Sequence, residues 1–405
     1  MSSPPNAQTA HTVIPSELIY DYDFIFDERL NADPQARMQS LHREAPPLFF
    51  TPRYGGHWVA TGFDMLREIA LNHSDFSAAN LMLPPSEHVA QLIPATFDPP
   101  QHTQYRMPLN HYFSPKAMAV HEGLIRATAI DCIARVNGRD RCDFLFDVVE
   151  AFPPRIFFEI LGIPLDRLRE FRELAQRFMS SSEAVDRERA YARIGEVVSE
   201  TVRARMAAPE DDLISKLATL DFGDRKLTLP EIVNYAVLLF IGGLDTVVNG
   251  ICFSVRLLAR DQVLQAELRA DPSKIPAAVE EFLRMHSVAT PLRTVTRDLE
   301  LHGVSLRKGD QVMLLVAAMN YDPRAFAAPE QFCPHRSEHH VAFNMGAHRC
   351  IGASLGRLEM KIFLEEWLQR IPYFALDPQS PARFAGGFSI TVRSLPLIFM
   401  PPDHP

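Results

Sequence analysis

Phe343-Asn-Met-Gly-Ala-His-Arg-Cys-Ile-Gly-Ala353 is the stretch on which the reading of this chain turns. Two glycines, Gly346 and Gly352, flank a lone cysteine, Cys350, immediately before an apolar-periodic run. Glycines there permit tight turns and a close approach of the backbone to a flat ligand. The run that follows carries Leu355, Leu358, Ile362, Leu364 and Trp367 on one side and ends near Ile371-Pro372, which predicts a helix. A cysteine just ahead of a helix lies at the positive end of its dipole, where a thiolate is favoured. Taken alone, it reads equally as a buried structural thiol, the common fate of a free cysteine. Zinc is a poor rival, because His348 and Cys350 lack the further ligands of a closed tetrahedral site.

The rest of the chain sets the bounds. Its 405 residues are 47% apolar and 22% charged, which argues for a folded globular protein. A net charge of −9 gives no electrostatic case for nucleic acid or an anionic membrane as partner. The best apolar run, Ala236 to Leu244, is stopped by Asp245, short of the ~20 residues a bilayer requires. Met1-Ser-Ser-Pro-Pro has neither the charged nor the apolar region of a signal peptide. Cys132, Cys142, Cys252, Cys333 and Cys350 form no CxxC and no regular framework, and read as reduced thiols. A soluble, cytoplasmic, monomeric protein is expected. Residues 1–33, rich in Pro, Ser and Asn, read as an irregular lead-in, with 34–405 as one domain.

Periodicity predicts a mainly α protein. From about Lys116 to Ala270 apolar residues recur at three- and four-residue spacing. Strands are expected at Gly56-His-Trp-Val-Ala-Thr, Arg293–Glu300, Gln311–Val316 and Ser389–Phe399. Thr228-Leu-Pro-Glu231 fits a capping box that opens a helix running to about Leu258, roughly 45 Å long. Being apolar on nearly all sides, that helix must run through a core. Gly242-Gly243 in its middle costs ~1 kcal/mol per residue against Ala, so the notch calls for a reason.

The cysteine segment matches, in full, the haem-binding loop Phe-x-x-Gly-x-His/Arg-x-Cys-x-Gly of the cytochrome P-450 family, which the chain resembles along nearly its whole length. The resemblance implies a fold with a helix-rich lobe around a long distal helix and a smaller β-containing lobe. It implies haem b as cofactor, with Cys350 as the iron ligand and Phe343 and Gly352 framing it. Glu281-Phe-Leu-Arg284 is similar to the family's Glu-x-x-Arg, and Arg336 fits the arginine that completes it. Alone, the i,i+3 pair would read as a surface ion pair; in the family these residues hold the cysteine loop. His102-Thr-Gln-Tyr-Arg106, Arg293 and His348 resemble the groups that receive the haem propionates, though each singly reads as a solvated side chain.

Gly242-Gly-Leu-Asp-Thr246 resembles the family's oxygen-activating segment. The resemblance has both glycines leave room for dioxygen, Thr246 hydrogen-bond the reacting oxygen and Asp245 relay protons. The plain alternative for Thr246 is a bond to its own helix carbonyl. The implied activity is monooxygenation: hydroxylation of unactivated C–H bonds with O2 and electrons from a [2Fe–2S] ferredoxin and its NADH-dependent reductase. Arg349, Arg357 and Arg106 would form a basic patch for that donor, or are scattered surface arginines. A peroxide-driven peroxygenase, or a haem-thiolate sensor or ligand carrier, are the other classes.

Gly242–Asn249, Ile275-Pro-Ala-Ala, His302–Gln311 and Ser394-Leu-Pro-Leu397 resemble the camphor-hydroxylase branch. The branch's ketone-binding tyrosine is missing from Ser86-Glu-His-Val-Ala-Gln-Leu-Ile-Pro94, and Pro291 stands where an aspartate is usual. By that resemblance the pocket is lined by Ala90, Leu92, Leu238, Leu239, Gly242, Ala289, Leu292 and Phe388, each of which could equally be core. A compact apolar substrate, a cyclic terpenoid or ionone-like norisoprenoid rather than camphor, is expected.

Overall fold

The computed structural model describes residues 14–83, 92–180 and 184–400. The helix begun by Thr228 spans Leu229–Arg260. Glu231 opens it: its Oε2 accepts from the Thr228 backbone N–H at 2.7 Å and the Thr228 hydroxyl at 2.8 Å, while Arg225 and Tyr105 hold Oε1. It is walled by Ala184–Ala207, Phe152–Leu161 and Ala353–Arg370. Ile232, Tyr235, Phe240, Ile251, Cys252 and Val255 are fully buried. Each large side chain so buried contributes about 1.5–3 kcal/mol, so the helix is secured by burial along most of its length.

Asp245 does not stop this helix. Its 32 residues are long and apolar enough, by length and composition, to cross a membrane, which corrects the expectation that no segment has the reach. Some 61% of its most apolar stretch is buried inside the protein.

The β-containing part centres on one five-stranded sheet, in the order Leu48–Thr51, His57–Ala60, Gln311–Leu314, Leu292–Val295, Phe76–Ser77. His57–Ala60 runs parallel to Gln311–Leu314, with Val312 opposite Trp58 on one side and Arg293 on the other. The strand expected over Arg293–Glu300 is two, Leu292–Val295 and Leu299–Leu301, the second paired with Val304–Leu306 as a hairpin. Likewise, 389–399 divides into Thr391–Ser394 and Pro396–Met400.

The lead-in boundary moves. Within 14–33, Tyr22, Phe24 and Leu30 are buried in the main core, and Asp27 caps Glu28–Ala32 while pairing with Arg37 at 2.7 Å. Composition alone hid this, because three well-placed apolar residues are enough to dock a polar segment.

Candidate active site

The cysteine loop is a closed unit. The Cys350 N–H donates to the Phe343 carbonyl at 2.8 Å and the Arg349 N–H to Gly346 at 3.1 Å. Gly346 has φ +70°, and a Cβ on it would lie 2.7 Å from the Ala70 carbonyl oxygen, so only glycine lets the loop seat there. Gly352 caps the helix Ala353–Arg370, whose first turn closes from the Gly356 N–H to the Gly352 carbonyl at 2.8 Å. Cys350 is exposed to the open space it borders, yet the protein packed around it desolvates the thiolate and pushes the thiol pKa up; the Gly352 N–H and Arg106, Arg349 and Arg357 oppose that shift. Cys350, Phe343 and Gly352 all border one cavity of about 310 Å³.

Leu238, Leu239, Gly242 and Thr246 reach the same cavity from the central helix. The two glycines have different jobs. A Cβ at Gly242 meets nothing within 4 Å, whereas one at Gly243 would sit 2.9 Å from the Phe157 ring. Only Gly242 opens space; Gly243 lets Phe157 pack. The Thr246 hydroxyl donates to the Gly242 carbonyl at 3.0 Å. Its single proton is thereby committed, so it offers the cavity an acceptor. Asp245 is absent from the residues that line this cavity. It borders a second cleft, with Glu150, Arg169, Glu173 and Arg393.

His102, Arg106, Arg293 and His348 converge on the cavity. The two imidazoles lie 4.2 Å apart between centroids with their planes tilted by 48°, and Arg293 is 3% exposed. Burial lowers the His102 pKa to about 4, that of His348 to about 3 and that of Arg293 to about 10, with neighbouring arginines adding to both histidine shifts. Both ring nitrogens of His102, Nε2 of His348 and one Nη of Arg293 are buried without a partner. Arg106 donates to the Arg349 carbonyl at 2.5 Å and to Asn110. Unpartnered buried donors around a net positive charge fit the two carboxylates of a haem. Pro291 also lines the cavity, so no aspartate competes there.

Glu281, Arg284 and Arg336 do come together. Arg284 is bidentate on Glu281 at 2.8 and 2.9 Å, and Arg336 reaches Glu281 Oε1 at 3.3 Å. The surface-pair reading fails on burial: Arg284 and Glu281 side chains are 1% and 4% exposed. Their remaining donors clamp the carbonyls of Asn320, Pro329, Ala327 and Gln331, bracing the segment that leads to the cysteine loop.

Several expected positions lie elsewhere. Ala90 falls outside the described residues, as does most of Ser86–Pro94. Leu92 and Leu292 are buried in the core and do not line the cavity. Ala289 forms a backbone bridge with Ser389, and Phe388 packs 5.5 Å from Phe24. These residues follow chain-order resemblance, which does not say which way a side chain turns. The expected basic patch also shrinks. Arg357 is paired to Glu280 at 2.6 and 2.8 Å and lies 4.5 Å over Phe343, leaving the exposed Arg349 beside Arg106.

Leu81, Pro94, Phe113, Phe157, Val247 and Glu359 line the cavity and were not singled out from sequence. Val247 was legible, since 239, 242, 243, 246 and 247 form one helical stripe. Glu359 stands four residues after Leu355, on that helix's apolar face.

A family model described as Cytochrome P450 matches residues 185–383. "Probable cytochrome P450 127A1" of Sinorhizobium fredii is 32% identical over 378 residues, spanning 91% of this chain and 90% of its own. "Steroid C26-monooxygenase" of Mycobacterium tuberculosis is 31% identical, over 75% of this chain and 85% of its own. The crystal structure of CYP101J2 superposes with a TM-score of 0.88 at 32% identity, covering 96% of this chain and 99% of that one.

Proposed function

The chain belongs to the cytochrome P450 family and is a haem b monooxygenase, and from that premise we propose that Cys350 ligates the haem iron and that the substrate is a compact apolar cyclic terpenoid or norisoprenoid. When bound, haem b supplies the oxygen activation and C–H oxidation; the chain supplies ligand, orientation and proton control. Arg106, Arg293, His102 and His348 would receive the propionates, which satisfies the unpartnered buried donors. Gly242 keeps one helix face clear for the reacting groups. Thr246 accepts a hydrogen bond there while its proton rests on Gly242, and Asp245, facing the polar cleft behind it, takes protons from solvent. The observation that carries the reading is that Cys350, in its loop, and the Gly242–Thr246 stripe of the central helix face one cavity.

The apolar wall of Leu81, Phe157, Leu238 and Leu239 supports an apolar substrate. A ketone hydrogen bond contributes ~0.5–1.5 kcal/mol net and each buried methylene ~0.8 kcal/mol, so without the tyrosine a larger ring system gains over camphor. Electrons would come from a [2Fe–2S] ferredoxin with an NADH-dependent reductase, docking beside Arg349 and Arg106. The enzyme is read as soluble, with 34–405 a single domain that extends back over the packed residues from about 14.

The reduced carbon monoxide complex should show the red-shifted Soret band of thiolate ligation, and Cys350→His should move it to the histidine-ligated position. An unchanged spectrum in the variant would exclude Cys350. Spin-state titration should favour β-ionone over camphor, and tighter, more selective turnover of camphor would overturn the substrate reading. Turnover with hydrogen peroxide alone, matching that with reductase and ferredoxin, would point to a peroxygenase.

A further inference from the structure

The N-terminal segment has no place in the expected machinery, yet it reaches the back of the cavity wall. Phe24 is 1% exposed and meets Tyr54 at 4.9 Å and His57 at 5.9 Å, both edge-on. A Cβ on Gly386 would lie 2.0 Å from the Phe24 carbonyl oxygen, so only glycine lets the segment sit there. Gly386 belongs to the turn between Arg383–Ala385 and Thr391–Ser394, and that turn carries Phe388. The Phe388 carbonyl accepts from the Thr290 N–H at 3.3 Å, the Gly387 carbonyl accepts from the Thr290 hydroxyl at 3.3 Å, and the Ile390 N–H donates to Val288 at 2.8 Å. Pro291, the next residue along, lines the cavity. With its backbone pinned from that side, Phe388 keeps one freedom, the direction of its ring. Phe24 closes one side of the ring at 5.5 Å. The ring also packs against the cluster of Met82, Phe178 and Ala190, which holds Leu81 as well, and Leu81 lines the cavity.

We propose that Phe24 is a positioning residue for substrate size: it fixes the Phe388 ring and thereby sets the depth of the apolar end of the cavity behind Leu81. Phe24 does not line the cavity itself, so its influence passes through the turn. Protein interiors are close-packed, and truncating a buried ring leaves a void that neighbours relax to fill. Phe388 is the neighbour able to do so, because it is half-buried while Phe24 is enclosed. A Phe388 ring turned toward position 24 withdraws support from the cluster that holds Leu81, and the cavity deepens there. The consequence is acceptance of bulkier apolar rings, with the cysteine loop and the Gly242–Thr246 stripe left as they are.

The inference rests on the cavity being the haem and substrate site, and its test separates the two. Haem-loaded full-length wild type, Phe24→Ala, Phe388→Ala and the double variant are titrated with N-benzylimidazole and the bulkier N-(naphthylmethyl)imidazole. Both azoles report binding by the Soret shift of iron ligation, whatever the natural substrate. Each methylene-sized group newly accommodated is worth about fourfold in affinity, so Phe24→Ala should favour the bulkier azole over the smaller by roughly tenfold more than wild type does. Phe388→Ala should show the same preference, and the double variant should match Phe388→Ala, since residues acting through one contact do not add. Should Phe24→Ala not fold, Phe24→Leu, alone and with Phe388→Ala, makes the same comparison with a smaller change in the same direction. A preference unchanged in the Phe24 variant, or a Phe24 effect undiminished once Phe388 is alanine, would overturn the proposal. A wild type with neither the thiolate carbon monoxide band nor an azole response would overturn the parent reading, and this inference with it.

Discussion

Replacing Gly242 and Gly243 separately by alanine should give opposite results, although the two are neighbours in one helix. Mid-helix, alanine is favoured over glycine by ~1 kcal/mol at either position. At Gly242 the new methyl meets nothing within 4 Å, so the whole gain is retained and the variant should unfold about 1 kcal/mol later than wild type. At Gly243 the methyl falls 2.9, 3.0 and 3.1 Å from three atoms of the Phe157 ring, which is itself 6% exposed. Overpacking of that kind costs ~1–3 kcal/mol, so the net effect runs from neutral to a loss of about 2 kcal/mol. Function should reverse the order. The Gly242→Ala methyl projects into the cavity and should weaken substrate binding, while the Gly243→Ala methyl projects into protein. Urea unfolding of the haem-loaded variants and substrate spin-state titration read both quantities. A Gly242→Ala protein less stable than Gly243→Ala would show that residue 242 faces packed protein, and the assignment of the open helix face would be wrong.

Thr246→Ala should leave substrate binding and the first electron transfer intact, since neither uses the hydroxyl, while reduced cofactor is consumed with hydrogen peroxide released; full coupling to product would show that protons arrive without it. Glu281→Gln should cost about 3–5 kcal/mol, because Arg284 and Arg336 lose the counter-charge they share while buried, and haem-loaded protein yield should collapse; unfolding within ~1 kcal/mol of wild type would refute the buried triad. Glu359→Gln should stabilise the fold increasingly as pH rises. The folded pKa is raised, so between the unfolded value of ~4.3 and the folded value the native state alone holds the proton, and wild-type stability falls by about 1.4 kcal/mol per pH unit. The variant lacks that slope, and parallel pH–stability curves would show Glu359 ionised in the fold.

What the sequence determined by itself was local. The capping of Leu229–Arg260 by Glu231, the glycines that let the Cys350 loop turn, and the cavity-facing stripe of the central helix depend on residues within a few positions of one another. Helix period and turn chemistry express such relations directly. Tertiary structure decided the rest, because burial and side-chain direction are set by what packs from elsewhere in the chain. Arg284 and Glu281 look like an exposed i,i+3 pair until Arg336 and the carbonyls of a distant segment enclose them. Gly242 and Gly243 are indistinguishable as letters, and Phe157, 86 positions before Gly243, divides them. Arg357 counts as a surface cation until Glu280 neutralises it. Leu92 and Leu292 are apolar residues that could face a ligand or a core, and only the packing of neighbouring elements sent them to the core, while Phe388 is left half-buried against it. Glu359 is an acid whose residue type alone would put it in water, and the elements packed on the apolar face of its helix hold it in the cavity wall.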